Sequence, residues 1–319
     1  MDMLTLAMLV CVPIEPVASG IEIQLSSDRR TYLDREPIFV EWQFTNRGPH
    51  TLRFDTWAAQ RGVRFECIDE TGEQFRLCHP IAGCGTTGIF EPARLYPRRE
   101  KYAHTDLRSM SGIRGPGKYR VRAIYDSNAC QISVWTGLRI ESNWITIEVI
   151  EAKGADAVVT KFIENKVLEF YERLFRAGWK PELRDEDERG RQREAVERYY
   201  RQERFFERHG IAEAILQFDS LRFRAVASYY STFSDVIHAD EHIQMCLQNP
   251  ETSEFVRALA IQRWFHLKSY QIGTSENAKN EAKMMALWLI RHRPDSSMAA
   301  DVRANLHRFQ LTTKQRHES

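Results

Sequence analysis

Between Ser142 and Asp156 the chain changes its period. Ile145, Ile147 and Val149 alternate with Thr146 and Glu148, the two-residue spacing of a strand. Lys153-Gly154 breaks that run, and beyond Asp156 the apolar residues Val159, Phe162, Ile163, Val167, Phe170 and Leu174 recur at helical spacing. No one layer of structure satisfies both periods. The chain is therefore expected to be multidomain, β then α: an antiparallel β-sandwich over residues 20–152 and an all-α region over residues 153–319. At 319 residues it is long enough for two cores.

Strand signals recur at short intervals in the first part. Ile21–Leu25 and Ile38–Phe44 alternate, Val63–Ile68 runs into the turn-forming Asp69-Glu70-Thr71-Gly72, and Asn46-Arg47-Gly48-Pro49 marks another turn. In Lys118–Tyr125, the residues Tyr119, Val121, Ala123 and Tyr125 share one face, with Lys118, Arg120 and Arg122 on the other. That pattern describes a sheet with one packed and one wetted face. Roughly seven to nine strands are expected, without a helical period among them.

These residues carry a resemblance. Tyr32-Leu-Asp-Arg-Glu-Pro-Ile38, Phe44-Thr-Asn-Arg-Gly48, Leu95-Tyr-Pro97, Pro116–Tyr125 and Ser142-Asn-Trp-Ile145 resemble, in order, the immunoglobulin-like sandwiches of secreted bacterial proteins. They are also similar to the bacterial proteinase-inhibitor type of sandwich. The resemblance implies a fold, and it leaves adhesion, scaffolding and inhibition open as roles. The inhibitor reading would use a sandwich loop such as Cys78–Gly88. The run Arg94–Lys101 and the face Lys118/Arg120/Arg122 are candidate surfaces for an anion or polysaccharide, with solvated strand faces as the plain alternative.

In the second part Asp156 is expected to cap a helix reaching about Ala177, stopped by Gly178 and Pro181. The charged stretch Glu182–Arg193 reads as an exposed loop, and Glu194–His209 as a helix. Helices are then expected over Ile211–Phe233, from Ser234 or Asp235 to Leu247, and from Thr252 or Ser253 to Tyr270. Two more follow, from Ser275 to near His292 and, after an Arg293–Ser297 linker and cap, to about Phe309. About seven helices joined by short loops describe a repeat-like stack or bundle. Ala286–Ala300 resembles a junction between tetratricopeptide-type repeats. The linker at Lys153-Gly154 is too short for two freely swinging halves, so the groove between them is the expected binding surface.

Export is expected from Leu4–Val12, an apolar run of signal-peptide length followed by Val17-Ala18-Ser19, which makes residues 1–19 a leader. No other stretch approaches the roughly 18 apolar residues of a membrane span. In an oxidising compartment Cys78 and Cys84 would close a short loop, leaving Cys67 with Cys130; buried reduced thiols are the alternative. Net charge is +1, from 45 Lys+Arg against 44 Asp+Glu, and the absence of a basic excess argues against nucleic acid as the partner.

One constellation carries chemistry. His238-Ala-Asp-Glu-His242 matches H-x-x-E-H, in which two histidines four apart bind zinc and Glu241 acts as general base. Glu276 and Glu281 are the available third ligands. Against this, Val236, Ala239, Ile243, Cys246 and Leu247 are expected on the packed face, with His238 and His242 opposite it. No G-x-S-x-G elbow, P-loop or dinucleotide fingerprint is present. The expected function is an exported, non-catalytic binding or scaffold module without a cofactor, its partner a protein or polysaccharide surface. A zinc hydrolase built on His238, Glu241 and His242, and a proteinase inhibitor, are the alternatives.

Overall fold

The computed structural model describes residues 20–54, 63–77, 93–109, 113, 115–126, 139–176, 210–271, 276–294 and 296–306. Strands fill the first part: β1 (Ile21–Ser27), β2 (Thr31–Leu33), β3 (Phe39–Asn46), β4 (Leu52–Phe54), β5 (Val63–Ile68), β6 (Gln74–Leu77), β7 (Ala93–Leu95), β8 (Glu100–Asp106), β9 (Gly117–Asp126), β10 (Arg139–Glu141) and β11 (Ile145–Ile150). They form a sheet β1-β3-β8, a sheet β2-β11-β9-β5-β6 with β10 beside β9, and a β4-β7 pair. Described helices fill the second part: α1 (Ala155–Arg176), α2 (Ile211–Ile215), α3 (Leu221–Ser234), α4 (Ala239–Gln248), α5 (Glu254–Gln271), α6 (Glu276–His292) and α7 (residues 297–306).

The two larger sheets share one core. Ile21, Ile23, Leu25, Val40, Trp42 and Phe44 from one sheet meet Val63, Phe65, Cys67, Val121, Ala123 and Tyr125 from the other. Trp42 meets the edge of Phe65 at 5.5 Å between ring centroids, and Phe44 meets Tyr125 at the same separation. The alternation read in β1 and β9 is the alternation that packs. The Asp69 turn forms as expected, its Oδ1 accepting the N–H groups of Thr71 and Glu73. At the Asn46 turn, Gly48 comes so close to Gly20 that a Cβ on Gly20 would lie 2.7 Å from Gly48 backbone atoms.

Two strand features differ from expectation. The pairing is not wholly antiparallel, because β11 runs parallel to β2, with Val149 opposite Tyr32. This places the last strand beside the β2 turn, where Asp34 N–H donates to the Ile150 carbonyl at 2.9 Å, and delivers the chain straight to α1 through Gly154 at φ +57°. Secondly, Cys67 is a free and fully buried thiol, and Cys130, the partner expected for it, lies outside the described residues. Its strand lies between β9 and β6, with Cys67 opposite Val121 and Phe75, and its side chain joins the inter-sheet core. Like Cys130, Cys78 and Cys84 lie outside the described residues, as do residues 1–19, where a leader is expected, the Cys78–Gly88 loop, and Glu194–His209, where a helix is expected.

The helical boundaries follow their caps. Ser253 Oγ accepts from Val256 N–H at 3.2 Å to open α5, and Ser296 Oγ accepts from Ala299 N–H at 3.1 Å to open α7. The single helix expected over Ile211–Phe233 is instead α2 and α3. Ser220 interrupts it in extended backbone and accepts from Phe223 N–H, while its hydroxyl donates to Asp156 at 2.6 Å and ties α3 to α1. Asp156 therefore braces another helix besides standing in the first turn of its own.

The halves are docked, not merely linked. β3 is buried on both faces: Val40, Trp42 and Phe44 enter the inter-sheet core, whereas Phe39 joins the helical core and stacks on Phe255 at 5.6 Å. Leu33 enters a second helical cluster with Val159, Ile215 and Phe223. Between these contacts Glu36, 3% exposed, accepts from Arg222 Nε at 2.9 and 3.0 Å and from Leu33 N–H at 2.7 Å. Arg222 also donates to the Thr31 carbonyl at 2.6 Å, and Arg29 lies 3.7 Å from the same carboxylate.

Removing one member of a buried ion pair leaves the other charge uncompensated and costs about 3–5 kcal/mol. Arg222→Ala should lose about that much stability in urea unfolding, while Arg222→Met with Glu36→Gln should lose clearly less. Equal losses in the two variants would show that packing, not the charge, holds the seam.

Candidate functional site

Where the β1–β2 turn faces the helices, the seam opens into a cleft of about 630 Å³. Its β wall is Ser27, Asp28, Arg29 and Glu41; its helical wall comes from the start of α5 and the loop between α6 and α7. That volume lies in the range of small-molecule sites, although this cleft is more polar than most. The short turn after β1 and Glu41 of β3 supply one wall.

Most of its charges are already engaged. Asp28 accepts the Tyr32 hydroxyl, and burial pushes its carboxyl up against the pull of hydrogen bonds from Tyr32 and Ser253 and the charge of Arg29. Arg29 donates to the Glu251 carbonyl. Glu41 accepts from Ser297 N–H at 2.9 Å and Ser297 Oγ at 2.7 Å, so a sandwich carboxylate occupies the N-terminal end of α7. On the helical side the Arg293 guanidinium lies 5.3 Å from the Phe255 ring centroid. His292 stacks on Trp288 at 4.3 Å, its Nδ1 2.8 Å from the Trp288 carbonyl.

His104, opposite Glu41 across β3 and β8, lies behind this wall. Its Nδ1 is 3.2 Å from Ser297 Oγ, its ring meets the edge of Phe255 at 5.9 Å, and burial pushes it down to about 4. Asp106 shares its strand and face but does other work. Its Oδ1 accepts from Ile38 N–H and Arg108 N–H, and burial pushes it up to about 6 against those donors.

The H-x-x-E-H residues are arranged differently from the motif's chemistry. His238 stands at the N-cap of α4, with Ala239, Ile243 and Cys246 buried as expected. Val236, however, is 58% exposed, and His242 is largely covered, its side chain 12% exposed. The carboxylate between the two imidazoles is Asp235, not Glu241: its Oδ2 is 2.8 Å from His238 Nδ1 and 3.6 Å from His242 Nε2. Asp235 Oδ1 also accepts His238 N–H at 3.2 Å, which ties the turn between α3 and α4 to its own start. Glu281 is taken by Lys268 at 3.6 Å and Asn277 at 2.9 Å, and the Glu276 side chain lies outside the described residues. Among the described residues no group of three or more His, Cys, Asp or Glu is placed to hold a metal ion.

The basic strand face is also internally paired. Arg120 and Arg122 lie over the Trp144 ring at 5.1 and 4.7 Å, Arg122 bridges Glu66 and Glu141, and Lys118 is 4.0 Å from Glu148. Sequence reasoning missed Asp28, Glu41, Glu254 and Arg293, which are far apart in the chain and carry no motif. The one available signal was Phe39-Val40-Glu41-Trp42, a strand without a wetted face.

Two titrations test these placements. The hydrogen bond to Asp235 raises His238 above its ordinary value, so the pair's contribution is complete below that ordinary value and lost as pH rises through the folded one. In Asp235→Asn the His238 titration followed by NMR should move down; no movement would remove the pairing. His104 has the opposite sign. Since the folded imidazole resists protonation until about 4 and the unfolded one takes a proton near 6.5, stability should fall as pH drops across that window. The melting temperature of His104→Gln should fall less over the same range, and an equal fall would exclude His104 as the cause.

No family model matches the chain, and no curated protein matches it. Solved structures similar to parts of it include the CARDB domain of a Pyrococcus furiosus protein in complex with di-metal ions, at 10% identity and TM-score 0.23, covering 41% of this chain and 94% of that one. Spo0M, a sporulation control protein from Bacillus subtilis, matches at 14% identity and TM-score 0.25, covering 46% of this chain and 55% of that one. The alkylpurine DNA glycosylase AlkC of Pseudomonas fluorescens, bound to DNA containing an abasic site analogue, matches at 12% identity and TM-score 0.22, covering 41% and 30%. At these TM-scores the likenesses carry no argument about this chain. No described helix is long and apolar enough to cross a membrane.

Proposed function

We propose that the chain is an exported, non-catalytic binding module. In this reading an immunoglobulin-like sandwich is joined to a repeat-like helical domain, and the cleft at their seam takes the ligand. The observation that carries it is the construction of that cleft. Both halves contribute walls, and the halves are locked together by the buried Glu36–Arg222 pair and the Phe39–Phe255 stack. A cleft framed this way is pre-organised, so a ligand loses less free energy to ordering its site. Export rests on the Leu4–Val12 run, and the partner class is a protein or polysaccharide carrying polar groups to match the walls.

The hydrolase alternative finds little support in the geometry, since both imidazoles face Asp235 and Glu281 is engaged by Lys268. The inhibitor alternative depends on Cys78–Gly88, and no observation favours it.

Ser27 lies on the β wall, half-buried, and an indole there would fill the cleft. A mixed panel of oligosaccharides, short peptides and nucleotides should include compounds that raise the melting temperature of the protein. Ser27→Trp should abolish those shifts while keeping its own unliganded melting transition. Shifts that survive in Ser27→Trp would move the binding site elsewhere.

A further inference from the structure

In the cleft the charges are not all accounted for. Asp28 is held by Tyr32, Arg29 by the Glu251 carbonyl, and Glu41 by the end of α7. Two opposite charges remain without an ion-pair partner among the described residues: the guanidinium of Arg293 and the carboxylate of Glu254, both on the helical wall. Arg293 rests over the face of Phe255, and Phe255 is itself buried. A guanidinium stacked on a ring keeps its N–H groups in the plane and directs them sideways, the arrangement that suits a carboxylate in two parallel hydrogen bonds. Glu254, in the first turn of α5, is exposed to the cleft.

We infer that the cleft binds a zwitterionic ligand of short-peptide size, its carboxylate held by Arg293 and its ammonium by Glu254. This deepens the reading of the cleft as the binding site and rests on it. A ligand with a single sign of charge fits less well. A phosphate dianion would meet Arg293 and Arg29 but also lie among Asp28, Glu41 and Glu254, and the like charges in a partly enclosed site repel it. A simple cation would satisfy Glu254 and leave Arg293 unmatched beside it. A zwitterion neutralises both, and about 630 Å³ leaves room for a few residues between its ends.

The test is calorimetric titration of the intact chain with tetra-alanine in three forms: free, N-acetylated and C-amidated. The free peptide should bind, and blocking either end should weaken it by about tenfold or more, the loss of one charge-assisted contact. Arg293→Gln should bind free and amidated peptide alike. Independently, Glu254→Gln should bind free and acetylated peptide alike. Inorganic phosphate should compete poorly with the free peptide. Equal affinity for all three peptide forms, tighter binding of phosphate than of peptide, or no peptide binding would each overturn the assignment. If an uncharged oligosaccharide binds, loses its binding in Ser27→Trp, and no peptide competes, the zwitterion assignment fails while the cleft stands. If ligand binding survives Ser27→Trp, the cleft itself fails.

Discussion

A carboxylate that is 3% exposed has to be compensated where it stands, and Glu36 is compensated by a residue 186 positions away. Arg222 meets both its oxygens, and Leu33 N–H and Arg29 complete the shell. Burial alone pushes the Glu36 carboxyl up, against the opposing pull of Arg222 and Arg29. Charge buried on the sandwich side is tolerable only with the helical side in place. The two halves are thus coupled by a term that neither could satisfy by itself.

That coupling explains the position of the cleft. Leu33, on the edge strand β2 of one sheet, inserts among α1, α2 and α3, and Phe39, on β3 of the other, among α3 and α5. Glu41 reaching Ser297 extends the contact toward α7. The β1–β2 turn lines the cleft beside this contact. The remaining gap keeps polar walls because it stays open to water. Its charges divide into those that hold the seam and those left over.

Much of the chain's architecture was legible locally. The alternation in β1 and β9, the Asp69 turn and the Ser253 and Ser296 caps stand where period and capping chemistry place them. Each depends on residues within a few positions of one another. The break at Ser220 was missed because a Ser capping a new helix and a Ser inside an old one look alike until Asp156 is seen accepting its hydroxyl. The H-x-x-E-H reading picked out two histidines at one short helix, and the carboxylate found beside both rings is Asp235. Asp235 lies outside the motif, and it meets both rings only because the chain bends just before α4.

Residue order alone shows that strands precede helices, where several of the described elements begin, and that the halves lie close, since Lys153-Gly154 allows little separation. Those properties follow from period, caps and linker length, which are short-range. That β3 has two buried faces, that Glu36 belongs with Arg222, and that Arg293 and Glu254 share a cleft emerge only once the chain is folded. Such pairings arise where segments distant in the chain are brought together by the burial of Leu33 and Phe39, and no spacing in the sequence records which distant residues will meet.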